Sequence, residues 1–301
     1  MPAGTYIDAK GNLVQPPRQE DDERLLPRRQ ALQQDVETGS TQTSNGWRFF
    51  GFPGFTWKSV IGVVVAIQLA LYLVSCWIVP PRGTLSPSGG SLFKIGSSNS
   101  AAEMCAARYN FPYHLIELRR WFVPIFLHLN PMHIIMNCFF ECSTGPRIEE
   151  SMGALPFAVL FLGAGVMGNL LSDSFGVNGV GGSTSCYGLI GMNFALTYQR
   201  WPEMTQGERE DSKMQLMSTC GMLVLWEVIM WKEIDHWGHL GGFIGGFLIF
   251  LGRTDKRAAA AFALLVAICV YVICIKPLFS DTYNGYPWQA VCDSIWNGYS
   301  R

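Results

Sequence analysis

The sequence predicts an all-α protein that threads a membrane several times, and three observations predict it. Apolar runs of spanning length recur from residue 59 onward, each able to cross roughly 30 Å of hydrocarbon as a helix. Hydrophobic residues make up 49% of the chain and charged residues only 15%, a balance too apolar for an ordinary soluble domain. Histidines and a glycine-framed serine lie in or at the edges of those runs, where ionisable groups are expensive and ask for a functional explanation. The formal net charge of −1 argues against a nucleic-acid partner, which requires a strongly basic surface.

Taken in order, residues 1–57 are a different material from the rest. The stretch 15–35 is rich in Gln, Arg, Glu, Asp and Pro and almost free of bulky apolar residues, so it cannot offset its own ordering entropy and reads as a disordered tail. No basic segment runs directly into an apolar one there, so the tail is not a cleaved signal peptide. Targeting falls to the first apolar run as an uncleaved anchor. Seven runs follow one another, at 59–79, 122–142, 153–171, 183–198, 214–231, 237–251 and 258–275. The fourth and sixth are short, which fits helices that begin below the membrane surface in a water-filled dip, and these two carry Ser183 and His239.

Orientation follows from Lys and Arg near the runs. With the N-terminus cytosolic, the cytosolic loops hold Arg147, then Arg200, Arg209 and Lys213, then Arg253, Lys256 and Arg257. The short opposite loops hold only Lys232, with Lys276 at the start of the lumenal tail. The long segment 80–120 carries Arg82, Lys94, Arg108, Arg119 and Arg120, but long loops weigh less in this rule. The chain is therefore read as a cytosolic tail (1–57), a transmembrane domain (58–276) and a short lumenal or extracellular tail (277–301) of a multi-pass protein of the secretory pathway or cell surface. Nine cysteines show no CxxC and no metal-ligand spacing. Cys105 and Cys292 both face the oxidising side, and their spacing does not decide whether they pair.

The residues able to carry chemistry sit in few places. Ser183 follows the glycine-rich 176–182, which permits a tight backbone approach. A helix starting there has free amide N–H groups and the positive end of its dipole beside the serine, which suits a forming oxyanion. The plain structural alternative is that Ser183 is an N-cap. Thr184 and Ser185 are rival hydroxyls, and the downstream Tyr187-Gly188 sets the register. His239 is followed by Gly242 and Gly246, a small-xxx-small face that allows close packing against the glycines Gly188 and Gly191 of the serine helix. In the second run His133 and Asn137 are four apart, on one helical face, and both can donate to a negative oxygen. His128, ahead of Pro131, reads as structural or water-organising, and His236 as interfacial. Asp235 stands four residues before His239 and invites a triad, but its position marks it as the cap of the sixth helix. Glu227, near the lumenal end of the fifth run, reads as reaching water.

Together these elements resemble a rhomboid intramembrane serine protease. The matches are Gly181-Gly182-Ser183 with Tyr187-Gly188, His239 with Gly242 and Gly246, and His128, His133 and Asn137. Gly145, Glu149 and Gly153 match the loop after the second span, and Arg120 matches the arginine of the long first loop. The resemblance covers roughly residues 57–276. It implies a six-helix rhomboid-like core with one extra C-terminal helix, as in the secretase-type branch. It also implies Ser183 as nucleophile and His239 as general base and then acid. Tyr187 would pack on the imidazole, and His133, Asn137 and the backbone around Gly182 and Ser183 would hold the oxyanion. Arg120, His128, Glu149, Gly242 and Gly246 are implied to be structural. The expected reaction is hydrolysis of single-span membrane proteins near their lumenal ends, releasing ectodomains, with lipid as surroundings and no metal or organic cofactor. Two positions depart from the family pattern: Thr184 replaces the usual glycine after the nucleophile, and Arg119 the usual loop tryptophan. The alternative the resemblance leaves is a non-catalytic rhomboid-like protein that binds membrane clients and controls their trafficking or degradation. Such proteins typically lack the serine or the histidine.

Overall fold

The computed structural model describes residues 6–7, 13–14, 52, 54–78, 85–109, 116–229 and 234–299. The chain divides into two units, Met1–Trp47 and Arg48–Arg301. In the first, strands β1 (Tyr6–Ile7) and β2 (Leu13–Val14) pair antiparallel. Most of the tail expected to be disordered lies outside the described residues.

The second unit is helical. Its long helices are α1 (Val60–Ile78), α5 (Pro131–Met152), α6 (Ala154–Ser174), α7 (Ser183–Arg200), α8 (Gln206–Ile229), α9 (His236–Gly252) and α10 (Lys256–Val270, continued by single π and 3₁₀ turns to Phe279). Between α1 and α5 lie the shorter α2 (Gly89–Ile95), α3 (Ser100–Tyr109) and α4 (Arg119–Phe122). After α10 come a hairpin of β3 (Thr282–Tyr283) and β4 (Tyr286–Pro287) and then α11 (Trp288–Tyr299). Among the described residues three helices are long and apolar enough to cross a membrane: α1, α6 and Lys256–Phe279. A fourth span results if Arg119–Phe126 and α5, which meet at 88°, are counted as one. The protein is thus an integral membrane protein of mostly helical build.

That bend corrects the second predicted run, 122–142. Residues Val123–Phe126 form a 3₁₀ turn containing Pro124, and α5 starts afresh at Pro131. Proline suits the first helical position because its missing N–H has no partner there anyway. Asn130 caps the new start by accepting the His133 N–H at 2.9 Å. The break leaves His128 in the linker and His133 in the first turn of α5.

Helix α6 runs through the middle of the bundle, with Phe157, Leu160, Phe161, Ala164 and Met167 fully buried. Lipid is as apolar as leucine, so close van der Waals contact rather than water exclusion must hold such helices together. One core gathers Ile61, Val64 and Val65 of α1 with Phe157, Phe161, Leu189 and Phe250. The other joins Met104, Met167, Leu170, Ile273 and Trp288 around a disulfide between Cys105 of α3 and Cys292 of α11, Cα–Cα 5.5 Å. Glu149 of α5 accepts the Val60 and Ile61 N–H groups at 2.8 and 3.1 Å, supplying α1 with the acceptors its first turn lacks. Arg120 is fully buried. It pairs with Glu117, donates to the carbonyls of Phe93 (3.2 Å) and Ser97 (2.6 Å), and lies over the Phe93 ring at 4.4 Å, stapling α2 to α4.

Candidate active site

The site is built where the loop 175–182 runs into α7. Gly181 has φ +138°, a conformation that L side chains rarely adopt, and a Cβ there would come within 2.7 Å of the His133 imidazole. The Gly181 N–H donates to the Pro124 carbonyl at 2.8 Å, fixing the loop against the 3₁₀ turn Val123–Phe126. Ser183 is then the first residue of α7, beside N–H groups with no intrahelical acceptor.

Three hydroxyls follow in a row, and their surroundings separate them. Ser185 is fully buried and faces Gly165 of α6, while its Oγ has no hydrogen-bond partner among the described residues. Thr184 is buried against two glycines: its methyl would meet a Cβ at Gly168 at 2.9 Å and at Gly238 at 3.2 Å. Those glycines make room for the threonine that departs from the family pattern. Of the three hydroxyls, the Ser183 Oγ is the one at His239, 2.9 Å from its Nε2, while the Thr184 hydroxyl donates back to the Gly181 carbonyl.

The approach of α9 to α7 depends on missing side chains. A Cβ on Gly242 would strike the Thr184 carbonyl oxygen, and one on Gly246 the Gly188 carbonyl oxygen. From the other side, a Cβ on Gly191 would strike the Phe243 carbonyl. Backbone therefore meets backbone along this crossing, as the small-residue spacing predicts. Gly245 lies off that face but is not free. A Cβ there would sit 2.9 Å from Met167 Cβ, so its side is packed on α6.

Around the pair, Tyr187 stacks on His239 with ring centroids 4.0 Å apart and planes 15° from parallel. His133 lies beside Gly181 and Ser183, and His128, fully buried, packs edge-on against it at 5.1 Å. Asn137 is buried, and its side-chain N–H₂ has no hydrogen-bond partner among the described residues. Gly182 leaves space for Glu141 and Gln68 beneath the turn. Asp235 caps α9: one carboxylate oxygen accepts the Gly238 N–H at 2.8 Å and the other the Ser172 hydroxyl at 2.6 Å. Arg120, Glu149 and Gly153 lie in the scaffold away from the pair, at the contacts described above or, for Gly153, at the α5–α6 junction with φ +85°.

Glu227 is partly exposed, as its sequence reading has it, but it also has partners that reading did not supply. It does not simply reach water: Oε1 accepts the Tyr187 hydroxyl at 2.6 Å and lies 2.6 Å from His239 Nδ1, while Oε2 pairs with His236 Nδ1. His236 accordingly belongs to the site and is not merely interfacial. The available signal was a single carboxylate in the apolar run Leu223-Val224-Leu225-Trp226-Glu227-Val228-Ile229, where an ionisable group needs a partner.

The class that this fold and site define is a polytopic helical membrane protein in which a serine hydroxyl lies within hydrogen-bond reach of a histidine on another helix. A Rhomboid domain model matches residues 116–255. The chain is 30% identical over 232 residues to rhomboid-like protease 1 of Toxoplasma gondii, covering 72% of this chain and 74% of that protein. It is 27% identical over 259 residues to rhomboid-like protease 3 of the same organism, covering 81% and 92%. It is also 26% identical over 185 residues to inactive rhomboid protein 2 of Homo sapiens, covering 57% and 21%. The chain belongs to the rhomboid family, whose members include both proteases and inactive proteins.

Proposed function

We propose that this protein is an active intramembrane serine endopeptidase with Ser183 as nucleophile and His239 as its base. The observation that carries the reading is the 2.9 Å contact between Ser183 Oγ and His239 Nε2, within the reach a nucleophile–base pair needs, with the rival hydroxyls turned away. Ser183 Oγ attacks the scissile carbonyl carbon while its proton passes to His239 Nε2. The C–N bond then breaks, and the departing amine takes that proton. Water attacks the acyl-serine next, giving its proton to His239, and the serine regains a proton as the new carboxyl product leaves.

The negative oxygen of each tetrahedral intermediate would be held by the Ser183 N–H with His133 and Asn137. The Asn137 amide, without an acceptor among the described residues, supports this assignment, because a buried donor left unpaired is costly and an oxyanion would supply its acceptor. Tyr187 stacked on the imidazole limits its rotation. Arg120, His128, Glu149, Gly242 and Gly246 hold the frame.

The substrate class is a single-span membrane protein whose helix unwinds near the lumenal surface, because a helical peptide bond is not open to attack. The Cys105–Cys292 disulfide supports an oxidising compartment on the side of α3 and α11, and with it a cytosolic N-terminus on a protein of the secretory pathway or cell surface.

The test is twofold: labelling by a fluorophosphonate, which reacts with activated serines, and shedding of a tagged single-span reporter. Ser183→Ala and His239→Ala are each expected to abolish both, and Ser185→Ala to retain both. Absence of labelling in the folded wild-type protein would favour the non-catalytic client binder.

A further inference from the structure

Resting on that reading, we propose that Glu227 is a positioning residue that makes this site a Ser183–His239–Glu227 relay. A carboxylate can only accept hydrogen bonds, so the ring nitrogen facing it must carry the proton. Glu227 Oε1 lies 2.6 Å from His239 Nδ1. That contact assigns the proton to Nδ1 and leaves Nε2 with a free lone pair, 2.9 Å from Ser183 Oγ. The tautomer needed to take the serine's proton is thus selected by a residue on a third helix, and the imidazolium formed on attack keeps its Nδ1–H against a negative charge.

The carboxylate is itself held. The Tyr187 hydroxyl donates to the same oxygen at 2.6 Å, and His236 engages the other. Tyr187 therefore has two contacts with the relay, its ring on the imidazole at 4.0 Å and its hydroxyl on the acid. No described residue of α8 is buried, so these hydrogen bonds, all at one end of the helix, are specific attachments of α8 to α7 and α9. Asp235, the other acid near His239 in sequence, is committed to Gly238 and Ser172 and is not available for this role.

The experiment follows fluorophosphonate labelling of Ser183 in the purified full-length chain at several probe concentrations, which separates the maximal rate of inactivation from the probe's apparent affinity. Glu227→Gln keeps the shape and removes the charge. Its maximal rate is expected to fall ~10–10²-fold, because the amide oxygen still accepts the Nδ1–H but brings no negative charge to the imidazolium, with the apparent affinity and Tm unchanged. Glu227→Asp and Glu227→Asn form a second pair, one methylene shorter, in which the acid should label faster than the amide. This pair serves if Glu227→Gln does not fold. A maximal rate in Glu227→Gln equal to wild type, or Glu227→Asp no faster than Glu227→Asn, overturns the relay while leaving the Ser183–His239 reading intact. A wild-type chain that does not label takes down both.

Discussion

At the scale of single residues, the same side-chain type has opposite duties depending on what meets its oxygens. Asp235 and Glu227 both approach the α9 terminus, yet Asp235 satisfies a backbone N–H and a hydroxyl, whereas Glu227 faces imidazole. Losing an N-cap acceptor typically costs about 0.5–2 kcal/mol. Asp235→Ala should therefore lower Tm, while Asp235→Asn, which can still accept the Gly238 N–H, should keep most of both stability and labelling rate. Thermal melts and labelling of the two variants side by side check this, and a dead but well-folded Asp235→Asn would undo the cap assignment. The Asp235 cap could be anticipated in the sequence because it depends on local chemistry at a helix end, and the approach of Ser183 to His239 because glycines line both helices. Glu227 could not be placed that way. Its meeting with His239 depends on how α8 is rotated and docked, which no local pattern encodes.

At the scale of elements, the site depends on backbone contact between α7 and α9. Each of Gly191, Gly242 and Gly246 faces the other helix's backbone, while Gly188 faces Ala164 of α6, so the distance between the axes is set by the absence of Cβ atoms. Valine at Gly242 meets the Thr184 carbonyl one residue from the nucleophile, and a misplacement near 1 Å can cost about 10²-fold in rate. Gly242→Val should lose labelling by about that factor or more and melt lower, although valine is fully at home in lipid. Gly245→Ala should be milder: its new methyl meets the Met167 side chain at 2.9 Å and the Ala164 Cα at 3.3 Å, far looser than the clash with a carbonyl oxygen at Gly242. If Gly242→Val labelled at the wild-type rate, the close crossing would not be what sets the pair's geometry. The glycine spacing announced this crossing from sequence. It did not announce the bend at Pro131 within a continuous apolar run, because apolarity alone does not distinguish one straight helix from two segments at 88°.

At the scale of the whole molecule, the loop that delivers Ser183 is tied to α3 on the disulfide side. Ser98 N–H donates to the Gly179 carbonyl at 3.1 Å, Ser100 N–H to the Asn178 side chain at 3.1 Å, and Ser98 Oγ to Asp173 at 2.5 Å. Next to them Glu103 of α3 is buried. It accepts the Trp121 indole N–H at 2.9 Å and faces the Asp173 carboxyl, with Arg120 and Glu117 nearby. Burial, only partly opposed by the Trp121 hydrogen bond, raises its pKa from 4.5 to about 7. The sign follows from linkage: the folded chain holds this proton more tightly than the unfolded one. The associated stability is fully present below pH 4.5 and is lost as pH rises through about 7. Wild-type Tm should therefore fall relative to that of Glu103→Gln across this window, because the amide still accepts from Trp121 and can donate to Asp173 without titrating. The difference in Tm between the two proteins, measured from pH 4.5 to 8, reports the titration of the Glu103–Asp173 pair, because the two carboxyls share a hydrogen bond and titrate together. A constant difference would mean that Glu103 enters the folded state already ionised. Because this carboxyl pair abuts the segment leading into Ser183, the same titration should loosen the 175–182 loop before it unfolds the bundle, and the labelling rate should decline at a lower temperature at pH 8 than at pH 5.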